Sequence, residues 1–396
     1  MLELADSYEG REQARVKHFL LDKYLDRLVH KTASVFPQIA YVDGFSGPWQ
    51  NRHENFEDMS FGIALAALTK AKATWTAKGH RVRMSAYLVE RDPDAYSHLQ
   101  RVKTQFPEVE IKTYLADFPS VASKILTDIP RTAFAFMFID PKGWTINMSQ
   151  IACLLRRQNS EVVFNFMFDF INRFAGIEAP KIKKGLDELI GAGPWREHLA
   201  SNPPPGLSVP DFRKAILVKA FSATLADIGG YQYVAETTIL RPNINRPLYC
   251  LFYGTRKPQG IEVFRDCQIK TMREQTSIRA EAKFKRAEVE TGQVELFGPR
   301  TELAVNDDEH RLDEERTMAR RSLLEFTPEG STGESYGHLW PQVLARHLVR
   351  KIELGEIVAD LRKSGELEID NWRPGTRRPD DACLLKRPGS LSAKET

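Results

Sequence analysis

Short apolar runs recur along the first half of the chain and alternate with stretches of helical periodicity. Five of these runs predict strands, at 39–42, 84–89, 109–114, 134–139 and 162–167. Apolar positions at helical spacing predict helices at 15–30, 61–75, 93–106 and 120–129. Because several of the strands are apolar on both faces, we predict a doubly wound, mostly parallel α/β sheet covered by helices on both sides.

Two more apolar runs, at 232–235 and 247–254, are separated by a short turn that contains Pro and Asn. A connection of this length suits antiparallel pairing, because parallel strands need a longer crossover. A parallel sheet that ends in an antiparallel hairpin is the methyltransferase variant of the Rossmann-like architecture. We assign this predicted domain to residues 1–260.

The remaining chain divides into a charged segment, 261–330, and a small C-terminal domain, 331–396. The first is predicted to be helical up to about residue 294, and its polar stretch 300–321 is predicted to be a linker. The second has two helical patterns followed by a predicted hairpin, and this arrangement resembles a winged helix. Arg373, Arg377, Arg378 and Trp372 in the wing would suit contacts with RNA or DNA, and a solvated loop is the equal alternative.

Composition narrows the class of protein without naming a partner. The net charge is +3, from 56 basic and 53 acidic residues, so nucleic acid is neither required nor excluded. No apolar run approaches the roughly 20 residues of a membrane helix, and the acidic N-terminus does not resemble a signal peptide. We expect a cytoplasmic protein without membrane contact.

The four cysteines are far apart and lack C-x-x-C spacing, which argues against a metal site and against disulfides.

Acidic residues follow three successive predicted strands. The first strand leads into Asp43-Gly44-Phe45-Ser46-Gly47, where glycine lets the backbone approach a ligand closely. Glu90 ends the second strand, in position to accept ribose hydroxyls, and Asp117 follows the third, in position to accept from an adenine amine. Without a G-x-G-x-x-G motif, this series favours S-adenosylmethionine (SAM) over NAD, with Asp43, Gly44, Phe45, Gly47, Glu90 and Asp117 as predicted cofactor-binding residues. Ordinary strand exits and helix caps are the alternative.

The fourth strand is followed by Asp140-Pro141-Lys142-Gly143-Trp144. Methylation of an exocyclic base amine requires an acceptor for the amine, a stiff turn and an aromatic face for the base. We therefore predict catalytic roles for Asp140, Pro141 and Trp144. The match to D-P-P-Y is partial, since Lys142 replaces the second proline, and a structural turn is the alternative.

Polar residues also interrupt apolar segments near the predicted cleft. Asn165 lies within the fifth strand, Arg173 follows it, and Lys17 and His18 belong to the opening helix. Burying polar groups has a desolvation cost, so such positions favour a pocket. Together with Lys142, these four are predicted substrate-binding residues, although a helix cap and a structural histidine remain alternatives.

In these motifs the chain resembles the three-Cys-motif partner (TcmP) family, a bacterial family with a SAM-methyltransferase-like fold. The resemblance is carried by Lys17-His18, the segments 41–48, 89–93 and 138–143, and Asn165-Phe166-Met167 through Asn172-Arg173. It implies a partner protein with a three-cysteine motif. In its first and fourth motifs the family is also similar to enzymes that methylate bases of ribosomal RNA.

Three functions follow from these patterns. The first is a SAM-dependent methyltransferase that acts on a nitrogen of a nucleic-acid base. The second is a non-catalytic protein that keeps the fold and docks a three-cysteine-motif protein, or DNA through the wing. The third is another nucleotide-using enzyme on the same scaffold.

Overall fold

A computed structural model describes residues 8, 10–47, 56–143, 146–291, 301–330 and 332–389. It divides into two compact units, one comprising Met1–Gly260 with Ile278–Gly298, the other Ile261–Ser277 with Pro299–Thr396. The domain boundaries at residues 260 and 330 stay predictions.

The first unit is built on a seven-stranded sheet. Its strands are β1 Gln38–Asp43, β2 Arg83–Glu90, β3 Glu110–Leu115, β4 Phe134–Ile139, β5 Ser160–Phe166, β6 Tyr233–Leu240 and β7 Pro247–Thr255. They lie in the order β3-β2-β1-β4-β5-β7-β6. Strands β1 to β5 are parallel, and β7 is antiparallel to both of its neighbours. The predicted fold class and its antiparallel terminal hairpin are confirmed.

Ten helices of this unit connect or cover the strands. They are α1 Glu12–Ala33, α2 Ser60–Ala77, α3 Pro93–Leu99, α4 Val102–Gln105, α5 Phe118–Asp128, α6 Met148–Leu155, α7 Phe168–Phe174, α8 Pro180–Ile190, α9 Trp195–Ala200 and α10 Val209–Gly229, counted within the described residues. The central strands are buried on both faces, and every residue of β4 and β5 is buried. This explains the continuous apolar run of β4.

The polar stretch predicted as a linker is helical in the second unit, which corrects the prediction. After α11 (Pro258–Thr291), helix α12 runs from Thr301 to Phe326. Leu312, Ala319 and Leu323 are buried at helical intervals along it. Most other residues of this helix are polar, so its buried face is narrow. The sequence of the stretch therefore shows little helical periodicity of apolar residues.

The C-terminal part of the second unit contains β8 Glu334–Ser335, α13 Tyr336–Arg346, α14 Lys351–Lys363, β9 Glu368–Asp370 and β10 Leu384–Lys386. The predicted hairpin is present, since β10 pairs antiparallel with β9 and also with β8. The identification as a winged helix stays a prediction.

The wing residues make contacts within their own unit. Arg373 pairs with Asp380 at 2.9 Å, and the Arg362 guanidinium lies 4.5 Å from the centre of the Trp372 ring. Arg377 and Arg378 are exposed. Their predicted contact with nucleic acid stays a prediction.

Within the described residues, no helix combines the length and apolar character that crossing a membrane requires. Free thiols are found at Cys153, Cys250, Cys267 and Cys383.

Candidate functional site

A cavity of about 570 Å³ lies at the edge of the sheet where the parallel strands end. Ligands of doubly wound folds bind at this edge, and the volume lies within the roughly 300–1,000 Å³ of small-molecule sites. The predicted site residues that line it are Lys17, His18, Gly44, Phe45, Gly47, Glu90, Asp117, Asp140, Pro141, Lys142 and Asn165. Asp43 and Arg173 do not line it. Trp144 lies outside the described residues.

Asp43 lies beneath the cavity wall and shapes the turn after β1. It is fully buried, and its Oδ1 accepts the backbone N–H of Phe45 at 3.0 Å. Its Oδ2 accepts the hydroxyls of Tyr41 and Ser60, both at 2.9 Å. Burial raises the pKa of Asp43 to about 6, although these three hydrogen bonds oppose the shift. Asp43 thus supports the turn after β1, and its predicted contact with a cofactor stays a prediction.

We expect Asp43→Asn to change how stability depends on pH. Because the pKa rises from 3.8 to about 6 on folding, the folded state binds the proton more tightly and wild-type stability falls as pH rises across that window. The full effect corresponds to about 3 kcal/mol. Asparagine keeps an acceptor for Phe45 and does not ionise, so the mutant should gain stability relative to wild type between pH 4 and 7. Urea unfolding at both pH values measures this gain, and an equal difference at both would contradict it.

Gly44 forms a flat part of the cavity wall. A Cβ at this position would lie 2.8 Å from the ring of Phe118, which is itself buried. The turn is tied to neighbouring strands, because Gly44 N–H donates to Phe138 O at 3.1 Å and Ser46 N–H to Val89 O at 2.8 Å. Only glycine therefore fits this wall without displacing Phe118.

Two carboxylates of the cavity have oxygen atoms available to a ligand. Glu90 is 4% exposed, and its Oε1 accepts the N–H of Asp92 at 2.7 Å. Within the described part of the chain, its Oε2 has no hydrogen-bond or ion-pair partner. Asp117 occupies the N-cap of α5, yet its side chain makes no cap hydrogen bond. Since an N-cap aspartate usually accepts from its own helix, this carboxylate is left to accept from the cavity.

Lys17, Asp140 and Asn165 form a polar network at the ends of β4 and β5. The Lys17 ammonium pairs with Asp140 Oδ2, and Asn165 Nδ2 donates to Asp140 Oδ1 at 2.5 Å. Burial alone lowers the pKa of Lys17, but the charge of Asp140 and its hydrogen bond outweigh burial, so the pKa lies above its usual value. Lys17 is thus a cation held against Asp140.

Asn165 leaves one acceptor unused in this network. Within the Asn165 amide, the NH₂ donates hydrogen bonds and the carbonyl oxygen only accepts them. The NH₂ therefore faces the Asp140 carboxylate, and the carbonyl oxygen points away from it. The side chain is 1% exposed, and its Oδ1 has no hydrogen-bond partner among the described residues. A buried acceptor without a donor costs about 1–3 kcal/mol, which a ligand donor would offset.

The turn after β4 has a constrained backbone. Pro141 is buried, and Gly143 has a φ of +91°, a conformation that favours glycine. Lys142 projects from this turn along the cavity; burial lowers its pKa, while Glu90 opposes the shift. The turn is therefore constrained even though Lys142 and Gly143 replace the second proline and the tyrosine of D-P-P-Y.

His18 is a buried neutral residue of the cavity wall. Its Nδ1 lies 2.9 Å from Tyr8 Oη. Burial holds the pKa of His18 well below its usual range, and the charges of Lys17 and Arg11 act in the same direction. At neutral pH, His18 is therefore an uncharged hydrogen-bonding group.

The cavity residues that sequence reasoning did not predict include Arg11, Asp58, Met167, Phe170 and Tyr249. Arg11 pairs with the fully buried Asp58 at 2.7 Å. The only local signal was Asp58, an acidic residue three positions before the predicted helix at 61–75, which is typical of an ordinary helix start. The pairing joins residues 47 positions apart and could not be inferred from either one.

Comparisons with known proteins give weak likenesses. No family model matches the chain, and no curated protein matches it. A Legionella pneumophila protein of the family DUF519 matches at 13% identity and a TM-score of 0.32, over 63% of this chain and 88% of that one. The methyltransferase CalO6 matches at 13% and 0.24, over 55% and 56%. A loganic acid methyltransferase with S-adenosylhomocysteine (SAH) matches at 8% and 0.28, over 97% and 96%.

Scores of this size carry no argument about activity, and the resemblance to the TcmP family stays a prediction. The fold itself is shown by the strand order and by the antiparallel β7. The first unit has the Rossmann-like methyltransferase fold.

Proposed function

We propose that the chain is a SAM-dependent methyltransferase that acts on a nitrogen of a nucleic-acid base. The observation that carries this proposal is that Asp140 and the adjacent Asn165 both line the cavity, and that the buried Oδ1 of Asn165 has no hydrogen-bond partner among the described residues. An exocyclic base amine has two N–H groups to donate. A hydroxyl has only one, so paired acceptors favour an amine.

The residues around the cavity fit the cofactor. Gly44 gives a wall without a side chain, Glu90 has an oxygen for ribose hydroxyls, and the uncapped Asp117 has one for an adenine amine. When bound, SAM supplies a methyl group on a positively charged sulfur atom. Phe45 packs edge-on to Phe118 at 5.8 Å and adds apolar surface beside the turn.

Asp140 and Asn165 would hold the amine through its hydrogens and so leave its lone pair directed at the methyl group. Asp140 would then accept the proton that the nitrogen sheds once it carries the methyl group that SAM would supply. Lys17 fixes the position of Asp140 throughout. Alignment of the reacting atoms, without a covalent enzyme intermediate, then accounts for catalysis.

A base must leave its stack to reach this depth, and aromatic side chains usually hold such a base. Phe170 and Tyr249 line the cavity and are suited to this role. The role of Trp144 as a stacking partner stays a prediction. Lys142 is suited to a phosphate beside the extruded base.

We expect Glu90→Gln to weaken SAM binding by about 10- to 100-fold, because hydrogen bonds to a charged group contribute about 1.5–3 kcal/mol. Titration calorimetry with SAM, SAH and NAD measures the affinities. Glu110→Gln is the matched control, since Glu110 is exposed at the opposite end of β3. Equal affinities of the two variants would contradict the assigned role of Glu90.

The same titration separates the candidate functions. Binding of SAM and SAH, with methyl transfer from labelled SAM to a nucleic-acid pool, supports the proposal. Folded wild-type protein that binds neither SAM nor SAH would overturn it and favour the non-catalytic protein that docks a three-cysteine-motif partner. Preferential NAD binding would favour another nucleotide-using enzyme.

A further inference from the structure

A buried carboxylate gathers three arginines beside the cavity. Asp169, the second residue of α7, is 3% exposed. Its Oδ2 lies 2.7 Å from Arg241 Nη2 and 3.2 Å from Arg173 Nη2, and its Oδ1 lies 3.2 Å from Arg246 Nε. We call Arg173, Arg241 and Arg246 the arginine cluster.

The cluster has more positive charge than its internal partner neutralises. One carboxylate balances one of the three guanidinium groups, and no other acidic partner of these arginines is recorded within the described ranges. The arginine side chains remain 57%, 37% and 52% exposed for Arg173, Arg241 and Arg246. A single ion pair would be enough to satisfy Asp169, so the surplus charge faces solvent.

Arg241 and Arg246 lie at the two ends of the turn between β6 and β7, and hydrogen bonds from Arg279 hold this turn in place. Arg279 Nε donates to the backbone oxygen of Arg241 at 3.0 Å, and its Nη2 donates to Ile244 O and Asn245 Oδ1, both at 3.1 Å. Arg213 similarly donates to the side chain and backbone of Asn172 in α7. The cluster is thus preorganised, which lowers the entropic cost of binding an anion.

The cluster adjoins the cavity in which the base would be methylated. The Arg173 guanidinium lies 5.8 Å from the ring centre of Phe170, a cavity residue. Tyr249, also a cavity residue, lies in β7, three positions after Arg246. Burial raises the pKa of Tyr249, and the positive charge of Arg241 is close enough to oppose this effect. Because Phe166 pairs with Cys250, the start of β7 lies beyond the end of β5, at the edge where the cavity opens.

We propose that the arginine cluster binds the phosphodiester backbone of the nucleic acid whose base enters the cavity. This rests on the proposed function, and it adds that the substrate is a polynucleotide rather than a free base or nucleoside. Guanidinium groups bind phosphate oxygens with two parallel hydrogen bonds, and three of them in fixed positions suit a backbone that follows the cavity rim.

The test measures binding of fluorescein-labelled, mixed-sequence single-stranded 20-mers by anisotropy, in separate RNA and DNA arms and between 50 and 200 mM salt. The variant is Arg173→Gln with Arg246→Gln, which leaves Arg241 to pair with Asp169. The control is Arg83→Gln with Arg131→Gln, an equal charge change at exposed positions near the opposite edge of the sheet.

We expect the cluster variant to bind about tenfold more weakly at 50 mM salt and to lower the slope of log affinity against log salt by about 1.5, since each lost phosphate contact removes about 0.7–0.9. The control should bind as wild type does. The arm with the stronger wild-type binding identifies RNA or DNA as the substrate. Affinity and slope equal to wild type in both arms would overturn the inference.

SAM calorimetry on the same variants keeps this result separate from the proposed function. If wild type fails to bind SAM but the cluster variant still loses oligonucleotide affinity, the phosphate site stands and the methyltransferase proposal fails. If SAM binds to both and oligonucleotide affinity is unchanged, only the inference about the cluster fails. Arg246→Gln alone, at an exposed turn position, repeats the test should the double variant fold poorly.

Discussion

Asp140→Asn is expected to lower kcat for methyl transfer by about 100- to 1,000-fold, with little change in the affinity for SAM. The substitution replaces one of the two carboxylate oxygens, which accept from Asn165 and Lys17, by an NH₂ that opposes one of these donors. It also removes the carboxylate that would accept the proton of the amine. Removing one preorganised polar contact in an active site typically has an effect of this size. Steady-state transfer from labelled SAM at saturating substrate measures kcat, and calorimetry measures the affinity.

The control for this prediction is Asp94→Asn, an exposed position in the first turn of α3. It should leave both quantities unchanged. Transfer by Asp140→Asn within threefold of wild type would show that the Asp140 carboxylate is not needed and would remove the acceptor pair from the mechanism. The asparagine retains a carbonyl oxygen for Lys17, which limits the loss of stability from an unpaired buried charge.

Phe221→Ala should destabilise the first unit by about 3–5 kcal/mol. Phe221, in α10, is fully buried, and its ring centre lies 4.8–4.9 Å from those of Phe164, Phe166 and Phe252 on β5 and β7. Truncation removes the apolar burial and leaves a cavity where the parallel and antiparallel parts of the sheet meet. Urea unfolding followed by far-ultraviolet circular dichroism measures the change.

Leu207→Ala is the matched control for Phe221→Ala, because Leu207 is 40% exposed in the loop before α10. It should change the free energy of unfolding by less than about 0.5 kcal/mol. If the two variants differ from wild type by equal amounts, the aromatic cluster does not stabilise this part of the fold.

Much of the fold could be predicted because strand burial leaves a direct mark on the sequence. All residues of β4, Phe134–Ile139, are apolar and all are buried, and the antiparallel hairpin follows from the short turn between two apolar runs. Helix α12 could not be predicted, since a narrow buried face leaves too few apolar positions to show a period. There the packing partner, not the local pattern, determines the helix.

The site shows the same division at the level of side chains. Strand-exit motifs alone predicted that Gly44, Glu90, Asp117 and Asp140 share one edge, because the carboxyl ends of parallel strands meet there. The sequence could not show that Asp43 turns inward beneath the loop, nor that Arg173 joins a cluster around Asp169.

Such assignments depend on partners distant in the chain. Lys17 meets Asp140 across 123 positions, and Arg241 meets Asp169 across 72. By itself, the sequence determined which chemical groups reach the edge of the sheet, through strand periodicity and turn residues. Only the tertiary structure decided which of those groups are buried, paired or left with an unused acceptor, because hydrogen bonding and desolvation act between atoms that folding brings together.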